Sequence, residues 1–405
     1  MKELFWLSVS GAVGSEAELN ILGKISELDA ELLDIRQTAI HQHFVLGALL
    51  GVSEQNNDGL NTLVAELSER FEVSCVRLAT EEFGIWEKGE QCAAHVITLL
   101  GRQVDASQLS AVTQIVSRHN LAVIGLERLT GLSDPENENS QQRCCIEMTL
   151  QGFVADEPAL RADLLNAAEN LQVDIAFQVD GPYRRNRRLV VFDMDSTLIQ
   201  HEVIDELAAA AGVGEQVAAI TESAMRGELD FTESFARRMK LLKGLDVSVL
   251  EQIAHSLNLS EGCERLVTTL HKLGYKTAIV SGGFNYFARY LQSKLGFTYV
   301  FANELDVKDG KVTGEVIGQV VDGRRKAELL QELAQREGLS LQQVIAVGDG
   351  ANDLPMLGIA GLGVAFRAKP IVRASARHSI NALGLDGVLY LLGLRDRDID
   401  ALRRA

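Results

Sequence analysis

Residues 189–197 read Leu-Val-Val-Phe-Asp-Met-Asp-Ser-Thr, and this stretch decides the fold of the C-terminal half. Its four apolar residues predict a buried strand. Two carboxylates, Asp193 and Asp195, follow the carboxyl end of that strand. Open α/β sheets place their chemistry at this end of the strands. One carboxylate there can attack phosphorus while its neighbour handles a proton, so the segment predicts phosphoryl chemistry with further phosphate and metal partners elsewhere in the chain.

Length and composition indicate a globular protein of two or three domains. The chain has 405 residues, of which 46% are hydrophobic and 23% are charged. The net charge of −17 argues against nonspecific nucleic-acid binding, because a polyanion would be repelled. No segment approaches the roughly 18 uninterrupted apolar residues of a membrane helix, and the apolar stretch 4–13 reads as a strand. Because no apolar segment is long enough, we expect no membrane partner. The five cysteines are odd in number and show no CxxC pair or metal-ligand spacing, so we expect a reducing, cytoplasmic location.

The first 180 residues look like one βαββαβ unit written twice, with a period of about 90 residues. In the first copy the patterns predict strands at 5–10, 32–40, 44–52 and 73–78 and helices at 16–28 and 60–71. In the second copy they predict strands at 95–100, 122–129, 144–150 and 173–179 and helices at 107–119 and 159–171. A polar, turn-rich insertion at 133–140 lengthens the hairpin of the second copy.

This element order resembles the ACT fold, a small ferredoxin-like module, and the resemblance implies one module at 1–85 and another at 86–182. Modules of this kind often bind amino acids at the interface between two copies. We therefore expect a homodimer and an amino-acid effector at these modules, although the modules could equally serve dimerisation alone. Four arginines, Arg184, Arg185, Arg187 and Arg188, follow the second copy. Such a charge run is usually a solvated linker, so it marks a domain boundary rather than a nucleic-acid contact.

From residue 183 to residue 405 apolar strands alternate with longer helices, which predicts βαβ units and a parallel sheet. Within this domain the stretch at about 202–259 has helical periodicity and almost no strand signal. We predict that it is an insertion packed above the edge of the sheet, where a lid would lie. It is called the cap below.

Three further segments of this domain carry chemistry after a strand or at the start of a helix. Ser281 and Gly282 follow the apolar stretch 277–280, where a hydroxyl and backbone N–H groups could meet a phosphate at a helix N-terminus. A plain strand-to-helix turn would have the same sequence. Lys326 begins a predicted helix at 326–336, and a single lysine in that place is normally a solvated charge.

The segment 348–356 places two carboxylates and an amide, Asp349, Asp353 and Asn352, on a turn that a glycine opens. Oxygen ligands of this hardness suit Mg²⁺, which proteins usually hold with one or two carboxylates and a substrate phosphate. Cysteine and histidine are absent from all four segments, so zinc is not expected.

These four segments, in this order, resemble the haloacid dehalogenase superfamily of aspartate-nucleophile phosphatases over about half of the chain, from Leu189 onward. The resemblance implies a Rossmann-like parallel sheet with a helical cap. It also implies a phosphatase, because dehalogenases lack the second carboxylate and transport ATPases carry threonine at that place. The Asp-x-Asp-Ser-Thr form, the helical insertion and the Gly-Asp-Gly-Ala-Asn-Asp segment look like the phosphoserine phosphatase family.

The resemblance assigns a role to each residue of the four segments. The catalytic residues would be the nucleophile Asp193, the acid and base Asp195, and the phosphate ligands Ser281 and Lys326, with Gly282 and Asn352 also touching the phosphate. Mg²⁺ would be held by the side chains of Asp193 and Asp349 and by the backbone carbonyl of Asp195. Asp353 would support the site by ordering metal-bound water and Lys326.

Residues of the cap sharpen the substrate prediction. Glu202 occupies the family position that receives the substrate ammonium, and Met225, Phe231 and Arg238 also match family positions. Arg238 would bind the substrate carboxylate, a bidentate task that suits a guanidinium, and Arg237 is its adjacent rival. The alternative is that Glu202 and Arg238 are surface charges on amphipathic helices.

The resemblance therefore implies Mg²⁺-dependent hydrolysis of O-phospho-L-serine through an aspartyl-phosphate, the last step of serine biosynthesis. Two other enzymes would use the same residues: a phosphatase of another small phosphomonoester, and a phosphotransferase that passes the phosphoryl group to an alcohol such as homoserine. A sensor that only binds phosphorylated ligands is a third alternative, although binding alone would not require every carboxylate and the lysine.

Overall fold

The computed structural model describes residues 2–14, 17–79, 94–131, 142–225, 228–229 and 231–404. The chain divides into two compact units, Met1–Cys92 and Ala93–Ala405. The finer division at residues 85 and 182 stays a prediction, and the insertion 133–140 lies outside the described residues. In the described ranges no helix is both long enough and apolar enough to cross a membrane.

The first unit is an antiparallel four-stranded sheet with two helices packed against it. Its elements are β1 (Lys2–Ala12), α1 (Ala17–Glu27), β2 (Ala30–Ile40), β3 (His43–Ser53), α2 (Asn57–Ser68) and β4 (Glu72–Leu78). The strand order is β2-β3-β1-β4. Alternate residues of β1, Leu7 and Val9, and helix-spaced residues of α2, Leu60 and Leu63, share one buried core, as the period-2 and period-3.6 patterns require.

The second unit begins with a repeat of the same arrangement. Its first elements are β5 (His95–Gly101), α3 (Ala106–Arg118), β6 (Leu121–Arg128), β7 (Cys144–Gly152), α4 (Glu157–Leu171) and β8 (Asp174–Val179). The strand order β6-β7-β5-β8 matches the order in the first unit, which confirms the predicted pair of ferredoxin-like sheets. We call the residues from β5 to β8 the second module. Helix α3 begins where Asp105 and Gln108 cap each other's backbone N–H groups.

The rest of the second unit is built on one seven-stranded sheet, and its parallel part confirms the predicted parallel sheet. Its strands are β9 (Leu189–Phe192), β10 (Lys276–Phe284), β11 (Tyr299–Lys308), β12 (Lys311–Ile317), β13 (Val344–Gly348), β14 (Leu362–Phe366) and β15 (His378–Ile380), in the order β12-β11-β10-β9-β13-β14-β15. All neighbours are parallel except β11 and β12. The fully buried strand β9 lies at the centre of the sheet. Its neighbours β10 and β13 pair with it in parallel on either side.

Helices cover both faces of this sheet and form the cap. The helices of the cap are α5 (Val203–Ala210), α6 (Gly214–Met225), α7 (Phe231–Leu241) and α8 (Ser248–Ser256). The remaining helices are α9 (Cys263–Lys272), α10 (Asn285–Leu295), α11 (Gly323–Arg336), α12 (Leu354–Ile359), α13 (Pro370–Ser375), α14 (Gly387–Leu391) and α15 (Asp396–Arg404). A short bridge between Ile199 and Leu259 joins the two segments that lead into and out of the cap.

The arginine run before β9 differs from the prediction of a solvated linker. The side chains of Arg184 and Arg187 are 1% and 5% exposed. Arg184 pairs with Glu147, and Arg187 donates to the side-chain oxygen of Gln178, so the partners come from β7 and β8. A run of charges does not reveal that distant strands will supply these partners, which is why the sequence pattern alone was wrong for these two residues.

Candidate active site

The central strands bring the predicted segments together. Asp193 follows β9 directly, and Asp349 follows β13 directly, while β10 ends in the segment that contains Ser281. Because β10 and β13 both pair in parallel with β9, their carboxyl ends lie at the same edge of the sheet. This edge is the place where open α/β sheets bind ligands.

A buried lysine connects two of the carboxylates. The Nζ atom of Lys326 lies 2.7 Å from Oδ1 of Asp193 and 2.7 Å from Oδ1 of Asp353, and its side chain is 0% exposed. Lys326 is in the first turn of α11, where the side chain of Asp322 caps the helix by accepting from the N–H of Arg325. Burial disfavours the ammonium, but the two carboxylates outweigh burial and raise the pKa of Lys326, so it stays charged.

Three carboxylates form a cluster beside this lysine. Ligand oxygens of Asp193, Asp349 and Asp353 all lie within 4.8 Å of one another. Burial and the charge of Asp353 raise the pKa of Asp193 to about 7. Burial and the charges of Asp193 and Asp353 raise the pKa of Asp349 to about 8. A cluster of hard oxygen donors that repel one another in this way fits a divalent cation such as Mg²⁺.

Asp353 has both of its carboxylate oxygens committed within the protein. Oδ1 faces Lys326, and Oδ2 accepts from the N–H groups of Asp349 at 3.0 Å and Gly350 at 2.9 Å. The approach is so close that a Cβ on Gly348 would lie 2.4 Å from Cγ of Asp353, which explains a glycine there. Asp353 therefore shapes the turn and holds Lys326. Asp349 keeps more of its carboxylate available, since among the described residues it has one side-chain partner, the hydroxyl of Thr197 at 3.0 Å.

Asp195 is in a setting that favours a protonated carboxyl group. Burial and the charges of Glu202 and Asp193 raise its pKa well above the usual value. Its Oδ1 is 3.4 Å from the backbone N of Val203, at the start of the cap. A Cβ on Gly283 would lie 2.4 Å from Oδ2 of Asp195, so this glycine lets β10 pass close to the carboxyl group.

The segment around Ser281 is part of a strand, so Ser281 lies neither at the predicted helix N-terminus nor in the alternative strand-to-helix turn. β10 continues to Phe284, and its pairing with β11 shifts register between Val280 and Phe284. The bulge frees backbone groups of Gly282 and Gly283 from the sheet ladder. The N–H of Gly283 donates to Oγ of Ser281 at 2.9 Å, so the hydroxyl proton of Ser281 is left for another acceptor.

Sequence reasoning missed Asn303, which holds this bulge in place. Its Nδ2 donates to the carbonyl oxygen of Gly282 at 2.8 Å, and its Oδ1 accepts from the N–H of Val321 at 2.9 Å. The side chain thereby joins the Ser281 segment to the loop before the helix of Lys326. Asn303 ends the apolar stretch 299–302 of β11 and is followed by Glu304, so the sequence there gives no signal of its two partners.

Two charged residues of the cap, Glu202 and Arg238, were predicted to bind the amino-acid part of the substrate. Glu202 stands at the N-cap position of α5 and accepts a hydrogen bond from Oγ of Ser196 at 2.7 Å. Arg238 is half-buried on α7, and its Nε is buried without a hydrogen-bond partner among the described residues. Burial lowers the pKa of Arg238, although the charges of Asp205 and Glu202 oppose this effect.

Arg237, the rival of Arg238, points elsewhere. Its Nη2 donates to Oε1 of Glu233 at 2.6 Å on the same helix, and both side chains are exposed. Asn352 is half-buried in the turn after β13. Met225 ends α6 and Phe231 begins α7, but the side chains of both lie outside the described residues. The geometry therefore favours Arg238 for recognition of an anion.

Comparisons with known proteins agree with this geometry. Residues 190–358 match the model of haloacid dehalogenase-like hydrolases, and residues 4–76 match the ACT domain. A phosphoserine phosphatase from Streptomyces coelicolor is 38% identical over 93% of this chain and 89% of its own length. One from Mycobacterium tuberculosis is 38% identical over 93% of this chain and 90% of its own length. The chain belongs to the phosphoserine phosphatase family of haloacid dehalogenase-like hydrolases.

Solved structures of this superfamily share the fold. A hydrolase of the haloacid dehalogenase family from Salmonella enterica has a TM-score of 0.64 and 31% identity, and it covers 73% of this chain and 98% of its own. A probable phosphoserine phosphatase from Vibrio cholerae has a TM-score of 0.58 and 35% identity, with 76% of this chain and 89% of its own covered. The predictions of a phosphatase, of a haloacid dehalogenase fold and of an N-terminal ACT domain are confirmed.

Proposed function

We propose that this phosphatase hydrolyses O-phospho-L-serine to L-serine and phosphate, the last step of serine biosynthesis. The observation that carries the proposal is the buried contact of Lys326 with Asp193 and Asp353, next to Asp195 at the same edge of the sheet. The names of the relatives support the choice of substrate.

In the proposed mechanism Asp193 is the nucleophile and Asp195 is the general acid and base. A carboxylate oxygen of Asp193 bonds to phosphorus, the bond from phosphorus to the serine oxygen breaks, and the carboxyl group of Asp195 gives its proton to that oxygen. Asp195 then takes a proton from water, whose oxygen displaces the carboxylate of Asp193 from phosphorus and releases phosphate. The raised pKa of Asp195 suits a group that must first carry a proton.

The remaining residues of the site neutralise and orient the phosphoryl group. The charge of Lys326, the hydroxyl of Ser281 and the backbone of Gly282 would contact its oxygens, where negative charge spreads in the transition state, and Asn352 would contact phosphate or its waters. Asp193, Asp349 and the backbone carbonyl of Asp195 would hold Mg²⁺, with Asp353 in support. When bound, Mg²⁺ would shield the nucleophile from the phosphate and neutralise charge on the oxygens.

The cap supplies the groups that would recognise the amino-acid part of the substrate. The Nε of Arg238, which has no hydrogen-bond partner among the described residues, offers a donor for a carboxylate, and Glu202 offers a carboxylate for an ammonium. Met225 and Phe231 would complete this part of the pocket. Phosphoserine carries an ammonium and a carboxylate on the same α-carbon. A pair of opposite charges in the cap therefore suits phosphoserine better than it suits a phosphomonoester without these groups.

The test compares phosphoserine with p-nitrophenyl phosphate, which lacks both charges of the amino-acid part. Arg238→Lys should lower kcat/KM for phosphoserine on the order of 30-fold, because a bidentate charged hydrogen bond is lost, and should change p-nitrophenyl phosphate hydrolysis less than about threefold. Arg237→Lys is the matched control and should change neither activity. Equal losses on both substrates, or the same loss in Arg237→Lys, would refute the proposed substrate.

Two predictions about the N-terminal part stay open. The ACT domain at 4–76 makes an amino-acid effector and a homodimer reasonable expectations, and both remain proposals. Calorimetric titration of serine into the full chain carrying Arg238→Lys, in which serine binding at the cap is weakened, would test the first. Sedimentation of the full chain would test the second.

A further inference from the structure

The two segments that join the cap to the sheet form a small ladder, which we call the hinge. The N–H of Gln200 donates to the carbonyl of Asn258 at 3.0 Å, and the N–H of Ser260 donates to the carbonyl of Leu198 at 2.9 Å. In the sequence the incoming segment of the hinge, 198–200, connects Asp195 of the sheet edge to Glu202 of the cap. Any shift of the hinge therefore changes where Glu202 and the rest of the cap stand relative to Asp193.

The outgoing side of the hinge is held by a carboxylate that two arginines share. Oε2 of Glu261 lies 2.7 Å from Nη2 of Arg102 and 2.5 Å from Nη2 of Arg367. Arg367 follows β14 of the phosphatase sheet, whereas Arg102 follows β5 of the second module. The side chain of Glu261 is 18% exposed. Burial acts to raise the pKa of Glu261, but the two arginines together outweigh burial and lower the pKa, so the charge is kept.

A second carboxylate repeats this arrangement next to the hinge. Oδ2 of Asp386 lies 2.5 Å from Nη1 of Arg143 and 2.9 Å from Nη1 of Arg265. Again one arginine comes from the second module, just before β7, and the other from the phosphatase domain, on α9. Gly262 passes between the two sites with a φ of +77°, and a Cβ there would lie 2.2 Å from Oδ1 of Asp386.

We propose that Arg102 and Arg143 are positioning residues for the reaction: the second module holds the hinge so that the cap presents Glu202 and Arg238 to the substrate. The inference rests on the proposed function, since it assigns substrate recognition to the cap. Neither arginine touches the site. Each acts through a carboxylate that also forms an ion pair with an arginine of the phosphatase domain. The catalytic geometry therefore depends on the second module.

The contacts predict a specific kinetic effect. Arg102→Ala leaves Glu261 with Arg367 as its one arginine partner, so the hinge can adopt positions in which the cap faces away from the site. The KM for phosphoserine should rise about three- to tenfold, the effect expected for a half-buried ion pair that biases two positions of the cap. Hydrolysis of p-nitrophenyl phosphate should change less than twofold, because that substrate does not use the charges of the cap.

Glu127→Ala is the matched control. Glu127 of β6 pairs with Arg395 at 2.7 Å, so this change also removes one ion pair between the second module and the C-terminal segment, but away from the hinge. It should leave KM for phosphoserine unchanged. Arg102→Lys, which keeps the charge, should restore part of the affinity that Arg102→Ala loses, and Arg143→Ala should act in the same direction as Arg102→Ala.

A double-mutant cycle on the full chain tests whether Arg102 acts through Glu261. In a Glu261→Ala background, Arg102→Ala should cause no further rise in KM. A lower thermal midpoint with an unchanged KM in Arg102→Ala would overturn the inference, as would the same KM shift in Glu127→Ala or an undiminished effect in the Glu261→Ala background. If the wild-type enzyme fails to hydrolyse phosphoserine, the proposed function is wrong. If Arg238→Lys impairs phosphoserine hydrolysis but Arg102→Ala and Arg143→Ala do not, the proposed function stands and the inference about the hinge is wrong.

Discussion

Replacing Lys326 by methionine tests the electrostatic core of the site. Methionine has a similar length and no charge, so Lys326→Met removes the cation from between Asp193 and Asp353 while it fills most of the space. The ammonium is 0% exposed and lies 2.7 Å from each carboxylate, so water cannot replace it without rearrangement. The two carboxylates would then face each other, with Asp349 close by, in a buried site.

Two magnitudes follow from this geometry. Breaking a buried ion pair by removing one partner costs about 3 to 5 kcal/mol. In a domain of this size that corresponds to a fall in the thermal midpoint of the metal-free protein of roughly 10 °C. Since the phosphoryl group loses a preorganised charge, kcat should fall on the order of 10²-fold or more. The pKa of Asp193 should rise above about 7, because Lys326 lowers it more than the backbone hydrogen bond of Met194 does.

The measurements are differential scanning fluorimetry in EDTA at pH 8 and phosphate release with saturating Mg²⁺. Lys308→Met is the control, because Lys308 is an exposed lysine on β11 of the same domain. The midpoint should recover partly at pH 6, where Asp193 can take up a proton and the repulsion is relieved. A variant with turnover within tenfold of wild type, or with an unchanged midpoint at pH 8, would show that the buried contact of Lys326 with two carboxylates does not organise the site.

Three further predictions concern the same edge of the sheet. In EDTA the thermal midpoint of wild type should fall as pH rises from 6 to 8. The folded-state pKa values, about 7 for Asp193 and about 8 for Asp349, exceed the unfolded values near 3.8, so the folded state binds more protons in this window. Mg²⁺ should therefore raise the midpoint more at pH 8 than at pH 6, and the opposite order would contradict the assignment of these carboxylates. Gly283→Ala should lower kcat at least about tenfold, because the new Cβ would lie 2.4 Å from Oδ2 of Asp195. The control Gly358→Ala in α12, where the added Cβ meets open space, should leave kcat unchanged. Equal kcat values in the two variants would exclude the close approach. Asn303→Asp should lower kcat about tenfold on both phosphoserine and p-nitrophenyl phosphate, because an oxygen would replace the amide that donates to Gly282; an unchanged kcat would show that the bulge does not need this bond.

The fold could be predicted from local patterns because its elements obey simple periodicities. The alternation in β1 and the spacing of apolar residues in α2 depend on neighbours in the sequence, and the repeat of the βαββαβ order made the two antiparallel sheets recognisable. The four chemical segments were also readable, since the sequence places each of them after an apolar stretch or at the start of a predicted helix. The sequence did not show that these segments lie close together in space. Their proximity follows from the strand order, in which β9 lies between β10 and β13.

The rest depended on contacts between residues far apart in the sequence. Arg184 was expected in solvent, but its partner Glu147 is 37 residues away on β7. Asn303 has no motif of its own, and its role depends on the carbonyl of Gly282, which a bulge frees from the sheet. Ser281 was expected at a helix N-terminus, but two glycines let the strand continue past Asp195 before α10 begins. Propensity and spacing contain no information on such partners.

Charge balance predicts that this site binds an anion only when a cation is also present. The described residues of the site and its cap include the carboxyl groups of Asp193, Asp195, Asp349, Asp353 and Glu202, against the cations Lys326 and Arg238. A phosphate dianion brought to such an edge would meet net repulsion, and the raised pKa values of Asp193 and Asp349 are the response of the protein to that excess of charge. A divalent cation at the cluster would reverse the sign of the local field. Phosphate affinity should therefore depend on the metal even in Asp195→Asn, which removes a carboxylate but none of the side-chain metal ligands. Calorimetry that detects equally tight phosphate binding to this variant in EDTA and in Mg²⁺ would refute this charge balance.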